Sequence, residues 1–440
     1  MSSLNHSQRF STLAEWLHWQ ESLHFSDIEM GLGRVGCVAR AMGLIDALPS
    51  SNLCFASSHP RVITVAGTNG KGSCVASLEQ LLLQQGFSVG AYTSPHFLHY
   101  CERIRINGQS AAEAEVCSAF AAIDKARTDT SLTYFEFGTL ASLDVFRQHS
   151  VDFVLLEVGL GGRLDAVNII DADVAVITSI ALDHEDWLGS DLDVIAFEKA
   201  GIVRANRPVI STVQQSVPAI SKTCVVAGAD LYQHGQAFEF QQSAECWSLQ
   251  SQRYAVVDLP LPSLPLPSVV AAILALRQLQ VNFTQEQLAE HLPKLSLPGR
   301  YQKVSHRGRE VILDVAHNPA AAEFLAERLS YRKHTGRVHA LMAIMADKDI
   351  TAVVKALLPS VQHWVAASLP GNSRAATAEG LMQDMHDLGA NAVAQPDVLS
   401  AFKYLLKNSA AGDTLLVIGS FFTVAEVLAL LAKDVESQNG

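Results

Sequence analysis

Val62-Ile63-Thr64-Val65-Ala66-Gly67-Thr68-Asn69-Gly70-Lys71-Gly72-Ser73 is the stretch on which the fold of this chain turns. Five apolar or β-branched residues read as a buried strand, and Ser73 through Gln85 reads as a helix. Between them lies a glycine-rich turn with one lysine, the layout of a phosphate-binding loop. Glycines let successive backbone N–H groups face one concavity, because a Cβ would obstruct the positive φ angles required. Lys71 supplies a point charge for β/γ phosphates, and the Ser73 hydroxyl suits Mg²⁺. Gly72 separates the two, a departure from the usual spacing. The same residues also permit a plain strand–helix turn with a solvated lysine.

Working outward, Ser88–Thr93, Phe153–Val158 and Val174–Ser179 read as further short apolar strands. Helical segments at Ala112–Arg127 and Phe137–Gln148 separate them, and an amphipathic helix is expected near Leu13–Leu23. Continuous apolar strands alternating with helices imply an α/β fold with a parallel sheet covered on both faces. The proline-rich run 259–267 cannot lie in a central strand, and a helix is expected at Val269–Gln278. A domain boundary is placed at Leu297-Pro298-Gly299-Arg300, giving domains 1–297 and 298–440. A second alternation follows, with strands at Glu310–Val315, Val338–Met345, His363–Ser368 and Thr414–Gly419.

The chain has 440 residues and a formal net charge of −12, with no basic run, which argues against a nucleic-acid partner. Its seven cysteines include no C-x-x-C pair, so neither a zinc knuckle nor a disulfide framework is indicated. No secretory leader or membrane-length apolar run is evident, and a cytoplasmic protein without a membrane partner is expected.

Polar residues recur just beyond strand ends, where open parallel sheets hold ligands. Glu157 closes an apolar strand, where a carboxylate is costly unless paired or metal-bound. It is a candidate Mg²⁺ ligand or one half of a structural ion pair. Gly159-Leu160-Gly161 hints at a dinucleotide fingerprint, but position 164 is leucine. His184, among Asp183, Glu185 and Asp186, reads as a metal ligand or a polar loop residue. Lys199 taken alone reads as a solvated lysine at a helix end. In the second domain, Asp314 could accept from ribose or base, and His317 and Asn318 could contact phosphate. The alternative is a helix start with Asn318 as its cap and Pro319 in its first turn.

Gly67–Ser73, Tyr92–His96, Thr133–Glu136, Leu156–Asp165, Asp183-His184, Glu198–Ile202, Leu297–Arg300 and Leu313–Pro319, in this order, resemble one family. It is the bacterial bifunctional dihydrofolate synthase/folylpolyglutamate synthases of the Mur-ligase superfamily, and the resemblance spans nearly the whole chain. It implies a P-loop-type parallel-sheet ATPase domain, followed by a smaller Rossmann-like α/β domain that completes the ATP and glutamate site. It also implies an ATP-dependent amide ligase that uses Mg²⁺. Its substrates would be dihydropteroate, reduced folates and L-glutamate, and the protein a monomer.

By the same resemblance, ATP phosphates fall to Thr68, Asn69, Gly70, Lys71, Gly72 and Ser73, and the metal to Ser94, Glu157 and His184, which join the Ser73 hydroxyl as metal candidates. Arg300 and Asp314 match nucleotide-side positions. The family's N6-carboxylysine falls on Lys199, giving catalytic candidates Lys71, His184 and Lys199. Carbamylation needs a neutral amine, whereas an ordinary lysine is protonated at neutral pH, so the pocket has to lower that pKa or stabilise the product. Pterin-side contacts match Ser22, Leu23, His24 and Phe25; Thr133, Tyr134, Phe135 and Glu136; and Leu164, Asp165 and Ala166. Ser268 stands where relatives carry an ATP-contacting asparagine and reaches less far. Two readings compete with the bifunctional ligase: a folate-only polyglutamate ligase, and a P-loop small-molecule kinase or nucleotide switch.

Overall fold

The computed structural model describes residues 9–24, 29–46, 59–183, 185–214, 217–331 and 336–439. Phe25 and His184 of the sequence expectations lie outside the described residues. Two compact units divide the chain, residues 1–295 and 296–440.

The first unit opens with α1 (Leu13–Leu23) and α2 (Gly33–Ala41). Thr12 caps α1 in a capping box with Glu15, which satisfies two otherwise orphaned donors. A sheet of eight strands follows: β1 (Arg61–Ala66), β2 (Val89–Tyr92), β3 (Ile104–Ile106), β4 (Gln109–Ser110), β5 (Phe153–Glu157), β6 (Val174–Ile177), β7 (Pro208–Ser211) and β8 (Asp230–Gln233). Their spatial order is β4-β3-β2-β5-β1-β6-β7-β8. The six strands from β2 to β8 in that order run parallel, and their central members are wholly buried. Helices α3 (Lys71–Gln84), α4 (Glu113–Arg127), α5 (Tyr134–His149), α6 (Glu185–Leu188), α7 (Leu192–Ala200) and α8 (Pro218–Ala227) connect them.

The sheet is mixed rather than purely parallel, since β3 and β4 pair antiparallel on its edge. Asn107 and Gly108 both adopt positive φ, 51° and 79°, and close that hairpin as a two-residue turn. A three-stranded antiparallel sheet, β9 (Phe238–Gln242), β10 (Cys246–Ser251) and β11 (Tyr254–Pro260), follows before α9 (Leu266–Gln278) and α10 (Gln285–His291). Pro260 ends an edge strand, where a missing N–H costs no ladder bond, and the remaining prolines lead into α9.

The second unit is a six-stranded sheet of β12 (Gln302–His306), β13 (Arg309–Leu313), β14 (Val338–Met342), β15 (His363–Ala367), β16 (Ala392–Gln395) and β17 (Thr414–Ile418). Its order is β12-β13-β17-β14-β15-β16, parallel except for the β12–β13 hairpin. It carries α11 (Pro319–Ser330), α12 (Ile350–Leu357), α13 (Ala378–Asp387), α14 (Val398–Asn408) and α15 (Phe421–Asn439). Each unit has its own apolar core. Among the described residues no helix is long and apolar enough to cross a membrane.

Candidate active site

β1 lies between β5 and β6, so the turn after it emerges where flanking loops from both sides converge. Gly70 is the N-cap of α3 with φ 86° and no side-chain cap, and the first intrahelical bond runs from Cys74 N–H to the Gly70 carbonyl. The amides of Lys71, Gly72 and Ser73 therefore have no acceptor within the helix, and no acidic residue occupies the first turn. A helix start of this kind is suited to an anion.

The turn is held on two sides. Thr68 N–H donates to the Ser179 carbonyl (2.8 Å), and Asn69 N–H donates to Ser179 Oγ (2.8 Å). Thr178 Oγ1 donates to the Asn69 carbonyl (2.7 Å), while Thr68 Oγ1 and the Ala181 backbone bond reciprocally. From the other side, Ser268 at the start of α9 donates to the Gly70 carbonyl (3.1 Å). The Ser268 hydroxyl is thus engaged in holding the loop. Sequence reasoning missed Thr178 and Ser179, although two hydroxyl residues directly after the apolar β6 were a visible signal.

Lys71 Nζ folds back to the carbonyls of Gly67 (3.1 Å) and Thr68 (3.3 Å). Lys199, from the last turn of α7, reaches the same Gly67 carbonyl at 3.1 Å and is only 5% exposed. Burial, reinforced by the nearby Lys71 charge, brings its pKa down to about 7; Asp183 and Asp165 pull weakly the other way. The reading of Lys199 as a solvated helix-end lysine is therefore wrong. Close packing explains its burial, because a Cβ on Gly162 would come within 2.7 Å of the Glu198 carbonyl oxygen, and one on Gly201 within 2.2 Å of Arg163 Cβ. Gly67, Thr68, Lys71, Gly159, Asp183 and Lys199 line a common hollow.

Glu157, 5% exposed, ends β5 level with Val65, and its Oε2 accepts the Ser94 N–H at 3.2 Å. Ser73 is fully buried and its hydroxyl has no hydrogen-bond partner among the described residues. A buried, unsatisfied hydroxyl is unfavourable unless something absent from the polypeptide completes it. With Ser94 and Glu157 it offers the hard oxygen donors that Mg²⁺ prefers, so this donor set fits the ion.

The pterin-side candidates are joined by polar contacts. Ser22 and Leu23 close α1, where Ser22 Oγ donates to the Trp19 carbonyl. His24 Nε2 lies 3.0 Å from Glu29, and Arg34 bonds both Glu29 and the buried Glu136. Glu136 also closes the capping box of Thr133 at the start of α5. Tyr134 packs edge-on to Tyr100 beneath the Arg103 guanidinium, and Phe135 tilts against Tyr92. The Leu164 carbonyl accepts from Gly31 N–H (3.1 Å). Asp165 accepts the amides of Gly159, Leu160 and Val167, with Ala166 in the short turn it caps. Burial raises the Asp165 pKa to about 6 despite those three donors. Gly31 and Arg34 were missed, because nothing in their local pattern marks them as meeting Leu164 and Glu136, more than a hundred positions away, and Glu29, which bridges His24 and Arg34, was missed with them.

Within the second unit, Asp314 follows β13 and accepts the amides of Tyr301 (2.8 Å) and Ala316 (2.9 Å). Burial raises its pKa, against the pull of Arg300. Arg300 stacks over Phe421 with its guanidinium carbon 5.0 Å from the ring centre. His317 Nδ1 contacts the Val315 carbonyl (2.8 Å), and Asn318 accepts the Ala321 N–H as the N-cap of α11. The cap role noted as an alternative for Asn318 is thus occupied.

Comparison with known proteins sets this geometry in a family. Residues 65–216 match the Mur ligase middle domain, and residues 299–421 match the Mur ligase glutamate ligase domain. The Escherichia coli dihydrofolate synthase/folylpolyglutamate synthase is 42% identical over 424 residues, covering 96% of both chains. The chain belongs to the dihydrofolate synthase/folylpolyglutamate synthase family. The Haemophilus influenzae member is 38% identical, over 96% of this chain and 98% of its own. A solved structure of E. coli FolC in complex with DHPP and ADP superposes with a TM-score of 0.90 at 41% identity, covering 97% of this chain and 99% of that one. A solved bifunctional folylpolyglutamate synthase/dihydrofolate synthase with Mn, AMPPNP and L-glutamate bound gives 0.86 at 42% identity, covering 97% of this chain and 99% of that one.

Proposed function

We propose that this chain is an ATP-dependent ligase that joins dihydropteroate to L-glutamate and adds further glutamates to reduced folates. The observation that carries the reading is the meeting of Lys71, Lys199 and an uncapped helix start at the carboxyl end of the central strand β1, in a chain that aligns with this family over 96% of its length. We read the 67–73 turn as a P-loop-type phosphate cradle and the second unit as a Rossmann-like domain with Arg300, Asp314 and His317 as nucleotide-side groups. The protein is read as cytoplasmic.

A carboxylate does not condense with an amine in water at useful rates. Transfer of the ATP γ-phosphoryl group to the pteroate carboxylate creates an acyl phosphate; the glutamate amine attacks its carbonyl and phosphate leaves. Two anions must first approach, and like unit charges at about 4 Å repel by about 4 kcal/mol at an effective dielectric near 20. Lys71 and the amides of residues 71–73 offset that repulsion from fixed positions. Ser73, Ser94 and Glu157 would hold Mg²⁺, with His184 as a further candidate, and the ion would supply charge neutralisation on the triphosphate. Lys199, with its lowered pKa, is suited to react with CO₂, losing one proton and gaining a carboxylate.

Incubation with ATP, Mg²⁺, dihydropteroate and L-glutamate, followed by mass spectrometry, tests the proposal. Dihydrofolate formed in step with ADP is the expected result; ADP without a new amide overturns it. Activity on reduced folates but not on dihydropteroate would instead assign the folate-only ligase.

A further inference from the structure

We infer that Arg105 and Glu79, which no motif singled out, are positioning residues for the metal site, acting through Thr93. Glu79 lies on α3, six residues beyond Ser73, and is 4% exposed. Arg105 lies on β3 and grips Glu79 with Nε (3.0 Å to Oε2) and Nη2 (2.7 Å). Its remaining nitrogen, Nη1, donates to Thr93 Oγ1 at 2.9 Å and reaches the Glu102 carbonyl at 3.3 Å. Thr93 immediately precedes Ser94, whose N–H meets Glu157. One guanidinium thereby ties α3, whose first turn holds Ser73, to the segment that carries Ser94.

A buried ion pair is a poor way to gain stability, since well-packed apolar residues do as well or better. A planar, five-donor fork is a good way to fix three elements at set distances and angles. Ser73 sits in the first turn of α3, so a shift of that helix against the 93–94 segment would change the spacing between two oxygen donors. Metal sites depend on such supporting contacts, whose removal typically weakens metal affinity roughly ten- to a hundredfold.

The inference rests on the metal reading given under Proposed function, and the test separates the two. Binding of Mn²⁺ with a non-hydrolysable ATP analogue is followed by electron paramagnetic resonance in four proteins: wild type, Thr93→Val, Arg105→Lys and Glu157→Gln. Thr93→Val removes one hydroxyl contact and leaves the Glu79–Arg105 pair intact, so the fold is expected to persist. The expected result is Mn²⁺ affinity weakened about tenfold or more in Thr93→Val and Arg105→Lys, with unchanged thermal midpoint in the former. Turnover should recover at raised Mg²⁺, with the KM for the folate unchanged. Wild-type Mn²⁺ affinity in both folded variants, alongside weakened affinity in Glu157→Gln, overturns the positioning role alone. Unaltered affinity in Glu157→Gln overturns the metal reading and the inference with it.

Discussion

The side-chain amines of Lys71 and Lys199 meet at one acceptor, each 3.1 Å from the carbonyl oxygen of Gly67. Two cations cannot share one carbonyl at no cost, and Lys199, the more buried, is the one whose charge is suppressed. Loop and α7 are therefore electrostatically linked across 128 residues of sequence. Replacing Lys71 with Met removes the like charge, so the Lys199 pKa should rise above about 7. Titration of ¹³C-labelled lysine by NMR would show it; an unmoved Lys199 signal would dissolve the link. Turnover in the same variant should fall about 10²- to 10³-fold, as for removal of a fixed charge-stabilising donor, with the circular dichroism spectrum retained.

The titration of Lys199 carries a sign for stability and for modification. Its folded pKa, about 7, lies below the ordinary 10.5, so between these values the unfolded chain binds the extra proton. Stability of the unmodified protein should accordingly rise with pH from about 7 toward 10.5 through this group, and the penalty should be complete below 7. Carbamylation needs the neutral amine, so activity should drop as pH falls below about 7 and be partly restored by added CO₂. A Lys199→Met variant should lose both the CO₂ response and this part of the stability profile. A CO₂ response retained in that variant would place the chemistry elsewhere.

Much of this arrangement was legible because buried parallel strands are continuous apolar runs. Val62–Ala66 and Phe153–Glu157 could hardly be anything else, and the polar residues beyond them fell where such sheets present ligands. The Asn107-Gly108 hairpin was readable from its dipeptide alone but lay outside the strand-and-helix alternation that guided the reading. Lys199 was not readable in isolation. A lysine in a helix between Glu198 and Ala200 looks solvated until Gly162 and Gly201 are seen to bring another loop against it. The same holds for Ser268, whose partner is 198 positions away. Local pattern encodes elements and strand ends, whereas burial of a single polar atom depends on contacts between distant segments.

Gly67 illustrates how little room the loop has. Its φ is 148°, and a Cβ there would fall 2.0 Å from Thr178 Oγ1, the hydroxyl that holds the Asn69 carbonyl. Gly67→Ala should therefore force Thr178 aside and misplace both lysines' shared acceptor. A stability loss of roughly 1–3 kcal/mol is expected from the overpacking, measurable by denaturant titration, together with a larger proportional loss of nucleotide affinity. Adding Thr178→Ser, which retains the hydroxyl but removes a methyl, should not rescue it, because the clash is with the oxygen.

Asp165 makes the last case, because its role can be separated from ligand contact. Its carboxylate gathers the amides of Gly159, Leu160 and Val167, and so shapes the loop that lines the hollow beside Lys71 and Lys199. Asp165→Ala leaves three amides without their acceptor and should cost about 1–3 kcal/mol. Asp165→Asn keeps one oxygen but turns an NH₂ group toward N–H donors, so it should recover only part of that loss. The buried carboxyl, with pKa raised from 3.8 to about 6, binds more protons folded than unfolded between those values. The wild-type protein should therefore lose stability through this group as pH rises from 3.8 to 6, and the alanine variant should lack that slope. Parallel pH–stability curves for the two proteins would mean that Asp165 is solvated and that the loop is shaped by other contacts.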